Sequence, residues 1–413
     1  MPAVHRRVTY KLYPNASQIR AMERVCDLHR DLYNAALQER ILAWRVWHSA
    51  VSFSDQCKAL TQIRRESEEY REINCQSLQV TLKRLDLAFR HFFRRIRLGQ
   101  VPGFSRFKSR DRFSGFGFKT HGDGFRFEPS LDWKHGRLRL SGIGTLRARG
   151  EARTPGRIVS AEIQRKADGW FLSLAVECAP HRERGDREGG LDWGVENLAT
   201  LAHAPGAYEA FENDRPLERE REALKSEQRQ LLKALRGRSS KRARKAKEAM
   251  ARRHRRIADR RKERNHQIAA RLVREHKLIV TERLAVPNMT ASARGTVSEP
   301  GRNVRAKAGL NRSILDATPG SFVGILAYKA EEAGCELIVL DTRKEKPSQR
   351  CPMCGTMRKK PLSEREHRCG CGFAATRDQA AALTMLAAGL RLKGREPSWA
   401  MRLASPKPSS RAA

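Results

Sequence analysis

No stretch of this 413-residue chain approaches the roughly 18 consecutive apolar residues needed to cross a bilayer. Its opening, MPAVHRRVTYKLYP, also lacks the apolar segment of a secretory signal. The expectation is a cytoplasmic chain with no membrane partner. Acids are scarce: 46 Asp plus Glu face 83 Lys plus Arg, a formal charge of +37. Folded surface carrying so much like charge repels itself unless a polyanion neutralises it, so nucleic acid is the expected partner. No histidine cluster is present, which leaves carboxylates and thiols as the metal-ligand candidates. Aromatics make up only 7% of the chain, yet they are spread from Phe53 to Phe373, and hydrophobic residues reach 39%. That composition excludes a basic tail as the main carrier of the charge and places it on folded modules. The length exceeds one ordinary core, so about two to four modules are expected.

Periodicity divides the chain. VTYKLYP alternates as a strand, and Pro14 to Ser17 supply a turn and a helix cap. From Gln18 to about Trp47, apolar residues recur at three- and four-residue steps. Further helices follow from about Ser54 and along QSLQVTLKRLDLAFRHFFRRIR, making residues 15–98 a helical module. From Gly99 the texture changes to Gly, Phe and alternation, ending in RIVSAEIQRK and GWFLSLAVECAP joined at Ala167-Asp168-Gly169. Residues 99–182, completed by the strand in 1–14, read as a small antiparallel barrel. Phe104, Arg106, Phe107 and Lys108 interleave aromatic and basic side chains that either line a nucleic-acid groove or fill a core.

Residues 187–346 and 376–393 alternate strands with helices. GGLDWGVENLATLA reads as strand, turn, strand. Pro216 to Arg274 is helical, interrupted near Gly237 to Ser240, and its second half is so one-sidedly basic that it suits a phosphate-facing surface. HKLIVTERL is a buried strand, SILDATPGSFVGILAYKAEEAG one helix, CELIVLD a strand and TRDQAAALTMLAAGLRL a final helix. Residues 394–413 are expected to be a disordered tail.

Two sets of residues carry chemistry. Asp192 and Glu282 each interrupt an apolar strand with a carboxylate, which is costly unless the charge is paired or holds a cation. Asp378 opens the last helix, where the helix dipole favours an acid. Each alone is explained by a strand-end hydrogen bond or a helix cap. Together they fit a ribonuclease H-like site in which acids from two strands and a helix hold two Mg²⁺ about 4 Å apart. Asp341, ending CELIVLD, is the rival carboxylate. Separately, residues 347–375 form an insert in which Cys351 and Cys354 precede Cys369 and Cys371 by fourteen residues. Paired cysteines on glycine-bearing knuckles read as one structural Zn²⁺ site, with His367 as a substitute ligand. The other five cysteines are scattered, which does not suggest a disulfide framework.

The ordered set LYNAAL, FSRFKSR, GLDWGVENLATL, IVTERLAVPNMT, KAGLNRSILDA, SQRCPMCG and CGCGFAATRDQAA resembles the transposon-encoded TnpB family, relatives of compact type V CRISPR effectors. The resemblance covers nearly the whole chain. It implies an RNA-guided DNA endonuclease: a multidomain α+β protein with a helical recognition lobe (15–98) inserted in a wedge-like β-barrel (1–14 and 99–182). An α/β ribonuclease H-like, or RuvC, nuclease domain (187–346 and 376–393) follows, interrupted by a zinc-binding insert (347–375). It further implies Asp192, Glu282 and Asp378 as Mg²⁺ ligands and catalytic residues, Cys351, Cys354, Cys369 and Cys371 as zinc ligands, and Gln79 and Lys83 facing duplex DNA beside the target. The implied partners are a guide RNA and double-stranded DNA bearing a short adjacent motif, with one protein copy per RNA and a nucleoid-associated location. Where the family has Asp-Arg-Asp-x-Asn-Ala-Ala, this chain has Thr376-Arg377-Asp378-Gln379-Ala380-Ala381-Ala382, so the Asn is lost at Ala380. The rival functions are a compact CRISPR effector with the same chemistry, an RNA-guided repressor that cuts weakly, and a strand-transfer transposase that needs no RNA.

Overall fold

The computed structural model describes residues 3–150, 155–236, 241–296, 298–361 and 363–400. They fall in two units, Met1–Pro180 and His181–Ala413. In the first, alternation makes β1 (Val4–Tyr13) bury Val8, Tyr10 and Leu12. Asn15 and Gln18 then exchange side-chain and backbone hydrogen bonds in a capping box that starts α1 (Ala16–Trp47). The helices α2 (Phe53–Glu66), α3 (Glu68–Glu72) and α4 (Cys75–Arg97) follow. Six strands complete the unit: β2 (Gly115–Phe118), β3 (Phe125–Pro129), β4 (His135–Leu140), β5 (Gly144–Gly150), β6 (Arg157–Lys166) and β7 (Gly169–Cys178).

These seven strands form one antiparallel sheet in the order β2-β6-β7-β1-β5-β4-β3. The end strands share no ladder, but Phe118 of β2 and Phe125 of β3 meet with ring centroids 5.4 Å apart. The sheet therefore curls around its core as an open half-barrel. The helical segment is not packed as a separate module. Met22 and Cys26 of α1 lie in the core of the sheet, whereas Leu32 and Leu37 of the same helix join Leu60, Leu78, Leu82 and Leu85. Asn34 of LYNAAL clasps the FSRFKSR segment, its Nδ2 donating to Lys108 O at 3.0 Å and its Oδ1 accepting from Lys108 N at 2.8 Å. Phe104 and Phe107 remain 49% exposed, and neither belongs to a core.

The second unit contains β8 (Arg187–Trp193), β9 (Asn197–Ala204), β10 (Ala207–Glu212), α5 (Pro216–Arg219), α6 (Arg221–Arg236), α7 (Lys241–Glu275) and β11 (His276–Glu282). It continues with α8 (Val286–Met289), α9 (Val304–Ala317), α10 (Pro319–Ala333), β12 (Glu336–Leu340), α11 (Thr342–Glu345), β13 (Glu366–Arg368), β14 (Ala374–Thr376) and α12 (Arg377–Leu392). The sheet order is β10-β9-β8-β11-β12, with β8, β11 and β12 parallel. Leu191, Leu201 and Ile279 face Leu272 of α7 and Phe322 and Leu326 of α10. The opposite face presents Leu278, Val280 and Leu340 to Met385, Leu386 and Leu390 of α12.

Several expectations are corrected. The strand-turn-strand reading omitted β10. The single helix through Thr318-Pro319 is two, because proline disfavours helical geometry in the residue before it; Thr318 adopts φ 52° and ψ 52°. The helix before this break also begins earlier than read, at Val304. The interruption read at 237–240 lies outside the described residues. The supposed tail is packed as far as Ala400: Arg395 forms a two-pronged pair with Glu188, and Trp399 rests on the cores beside α12. Residues 401–413 lie outside the described residues.

Candidate functional site

Strand register brings two of the expected acids side by side. The parallel pairing of β8 with β11 sets Val280 opposite Gly190 and Thr281 opposite Leu191, so Asp192 and Glu282 come next, at the ends of neighbouring strands. Side chains alternate across a sheet, so Asp192 shares a face with Gly190, and Glu282 with Val280. That face is the one covered by α12. A Cβ on Gly190 would lie 1.9 Å from Ala382 O, and a Cβ on Gly389 would lie 2.3 Å from Val280 Cγ2. Both glycines are thus required by the close approach of helix and sheet. Ala382 sits on Gly190, and Asp378 lies one helical turn before Ala382, which carries it over the strand ends. Consistent with this, a Cβ on Gly194 would be 4.0 Å from Asp378 Oδ2.

All three acids are half-buried. Desolvation pushes the Asp192 carboxyl well above the usual carboxylate range, and the charges of Glu282 and Asp378 push it further, against an opposing pull from Arg377. Asp378 is also raised, by burial first; Arg365 and Arg377 oppose the shift and Glu196 adds to it. Carboxylates so crowded require protons or a cation. Parallel register pairs Leu340 with Glu282; the exposed Asp341 lies past the end of β12, where its carbonyl accepts from Lys344 N and Glu345 N as α11 begins. Sequence reasoning missed Glu196, Arg365 and Arg377. Glu196 stands in the GVEN turn four residues after Asp192, and Arg377 immediately precedes Asp378; those positions were the available signals.

The local sequence also explains the altered motif. Thr376 and Gln379 form the capping box that begins α12, each accepting the other's backbone N–H. Ala380 is fully buried, about 200° around the helix from Asp378, on the side where Thr384 donates to Arg350 O at 3.1 Å. Its small side chain is therefore turned away from the side of the helix that carries Asp378.

The four clustered cysteines do converge, with their sulfur atoms within 4.8 Å of one another. Cys351 and Cys371 are 3.7 Å apart, and Cys354 and Cys369 are 3.5 Å apart. Thiolates bound to one ion at about 2.3 Å in a tetrahedron have edges of about 3.8 Å, so the set can hold a zinc-like ion. Burial raises the Cys354 thiol, but hydrogen bonds from the Thr356 hydroxyl and backbone and from the neighbouring cysteines outweigh it, bringing the pKa down to about 6. Burial pushes Cys351 up to about 12. His367 is outside this quartet; it is buried against Phe373 and accepts from Lys360 Nζ.

Gln79 and Lys83 lie one turn apart on α4. Gln79 Oε1 accepts from Lys119 Nζ at 3.5 Å, and Lys83 Nζ donates to Asp86 at 3.0 Å. Neither is completely buried, so both retain a solvent-facing edge.

Residues 171–293 match the family described as "Probable transposase" (OrfB of IS605), and residues 320–385 match "Cas12f1-like, TNB domain". Residues 1–45, here β1 and most of α1, match the "Helix-turn-helix domain" of the same OrfB family. The chain is 32% identical over 389 residues to "Putative RNA-guided DNA endonuclease InsQ" of Escherichia coli K12, covering 92% of this chain and 91% of that protein. It is 31% identical to a "Putative RNA-guided DNA endonuclease" of Streptomyces pristinaespiralis, over 94% and 90% of the two chains. In fold it is similar to Cas12f1 from a cryo-EM complex with sgRNA and target DNA, with TM-score 0.60 and 10% identity over 93% of this chain and 99% of that one. Sequence relationship over nine-tenths of both chains shows that this chain belongs to the transposon-encoded TnpB family.

Proposed function

We propose that the chain is an RNA-guided DNA endonuclease that hydrolyses phosphodiester bonds at Asp192, Glu282 and Asp378. One observation carries the assignment of the site: the register that sets Asp192 beside Glu282 beneath the first turn of α12. Asp192 and Asp378, both raised first by burial, and Glu282, whose charge raises Asp192 further, are suited to divalent cations, and their hard oxygen ligands favour two Mg²⁺. When bound, such ions supply the Lewis acidity that activates water and offset charge on the phosphate under attack. The protein's own part is to fix the acids on two rigid strands and a helix. Arg365 and Arg377 temper the negative charge around Asp378.

The family membership supports a guide RNA and a DNA target as partners, and the +37 charge suits the phosphates of both. Within this reading, residues 1–14 and 99–182 serve as the wedge, 15–98 as the recognition segment, 187–346 and 376–393 as the RuvC-like nuclease and 347–375 as its zinc-binding insert. Cys351, Cys354, Cys369 and Cys371 hold one structural Zn²⁺; four protein ligands leave no position for substrate. Gln79 and Lys83 face a short motif in the duplex beside the target, and one chain acts with each RNA. The soluble complex works in the cytoplasm, on nucleoid DNA. The buried position of Ala380, turned away from Asp378, gives no support to the cleavage-weak repressor reading.

Sequencing the RNA that copurifies with the protein, then supplying DNA matched to it, tests this function. A discrete RNA and programmed cutting are expected. Recovery of no discrete RNA would defeat RNA guidance.

A further inference from the structure

A cavity of about 290 Å³ opens among Asn213, Arg215, Arg221, Arg312, Ser313 and Asp316. Its charges do not cancel. Asp316 is consumed inside the protein: Arg261 Nε donates to it at 2.8 Å and Leu217 N at 3.1 Å. Glu218, which also lines the cavity, is paired with Arg221 at 2.7 Å. Arg215 and Arg312 are left exposed, with no carboxylate partner among the described residues. Arg215 also stands at φ 44°, a left-handed conformation that non-glycine residues adopt at a cost and that often marks a functional position. Its N–H donates to Asn213 Oδ1 at 3.3 Å, and Arg264 Nη1 donates to the same oxygen at 3.2 Å. The backbone that presents Arg215 is therefore held in place.

The cavity is also tied to the carboxylate edge. The strand β10 runs parallel to β8, because each is antiparallel to β9, so Asn213 and Asp192 leave the sheet at the same edge. Asn213 Nδ2 donates to Val195 O at 2.8 Å, three residues beyond Asp192. Two strand spacings separate β10 from β8, about 10 Å. A stacked nucleic-acid strand places about three phosphates in that span. From the two uncompensated guanidinium groups, the held strained backbone and this placement, we propose that the cavity binds a backbone phosphate of the DNA strand entering the carboxylate site. Arg215 and Arg312 grip the phosphate, while Asn213 sets the distance between the grip and the turn after Asp192. The choice of the DNA strand rests on the nuclease reading; the phosphate grip does not.

The test uses the full chain with its copurified RNA. Wild type, Arg312→Gln, Arg215→Gly and the double variant are compared for affinity to single-stranded DNA across a salt series, for RNA retention and for thermal stability. The double variant should weaken DNA binding at least about ten-fold. The slope of log affinity against log salt should become shallower by about 0.7, the change for one phosphate no longer neutralised. Arg215→Gly should raise thermal stability, because glycine accepts the left-handed backbone, while still weakening DNA binding; a merely architectural arginine would not give that split. Unchanged DNA affinity and slope would overturn the proposal. So would a loss confined to the guide RNA, or a loss confined to inorganic phosphate in a parallel titration. These binding readouts stand whether or not the wild-type complex cuts DNA, so failure of the pocket and failure of the nuclease reading are distinguishable.

Discussion

The carboxylates and the thiols are assembled in different ways. Cys351 and Cys371 are 20 positions apart in sequence, and the knuckles that carry the four sulfurs are local loops. Asp192 and Asp378 are 186 positions apart and meet only because α12 lies directly on Gly190. The electrostatics also differ. The acid site resists ionisation at Asp192, whereas the thiol site holds both extremes, Cys354 lowered to about 6 and Cys351 pushed up to about 12. The thiols are thus assembled within one short segment, while the acids depend on the contact between helix and strand, and Arg365 of the insert still reaches the charge of Asp378.

Substitutions can separate the two sites. Asp192→Ala and Glu282→Ala should each reduce Mg²⁺-dependent cleavage by roughly a thousand-fold or more while RNA binding and zinc content persist. Cutting assays paired with elemental analysis would check this. Gly190→Ala forces a Cβ against the Ala382 carbonyl, where backbone must move, and should destabilise the second unit by about 2–3 kcal/mol or more. Denaturant melts would read that loss. Zinc retention near one ion per chain is still expected, and parallel loss of zinc would refute the local assembly of the thiol site.

Zinc removal should act in the other direction. Cys351→Ser should lower the thermal midpoint of the second unit yet reduce cleavage far less than Asp192→Ala. Protons compete with the metal for the thiols, whose pKa values run from about 6 at Cys354 to about 12 at Cys351, so zinc affinity should fall as pH drops across that range. The smallest effect concerns the metal-free acid site. Because the folded pKa of Asp192 is raised above its unfolded value, its contribution favours the fold at low pH and is lost as pH rises through the raised value. Asp192→Asn should flatten that dependence in melts performed with chelator. An unchanged slope would show that Asp192 is not the strained carboxylate.

The differences in assembly also decide what could be read in advance. Cys351-Pro-Met-Cys354 and Cys369-Gly-Cys371 were legible because the ligand spacing is itself the site. Asp192 and Glu282 stood out as charges within apolar strands, but their adjacency needed the β8–β11 register, which no local pattern encodes. Asp341 remained a rival until the structure placed it past the end of β12, exposed at the start of α11. The break at Thr318-Pro319 was written in the chain and was overridden by the helical periodicity on both sides of it. The shared role of α1 was hidden because one continuous apolar stripe serves two cores in succession. Trp399 and Arg395 were hidden for the opposite reason, since a single aromatic and a single ion pair dock a segment whose composition otherwise reads as tail.

The central claim is that three distant acids form one metal-binding site. Mn²⁺ binding to the RNA-loaded protein, followed by magnetic resonance, tests it with Asp192→Asn, Glu282→Gln, Asp378→Asn and Asp341→Asn side by side. The account predicts about two ions in the wild type and in Asp341→Asn, and loss of the coupled pair in each of the other three. Survival of the pair without Asp192, Glu282 or Asp378, or its loss with Asp341→Asn, would contradict the account.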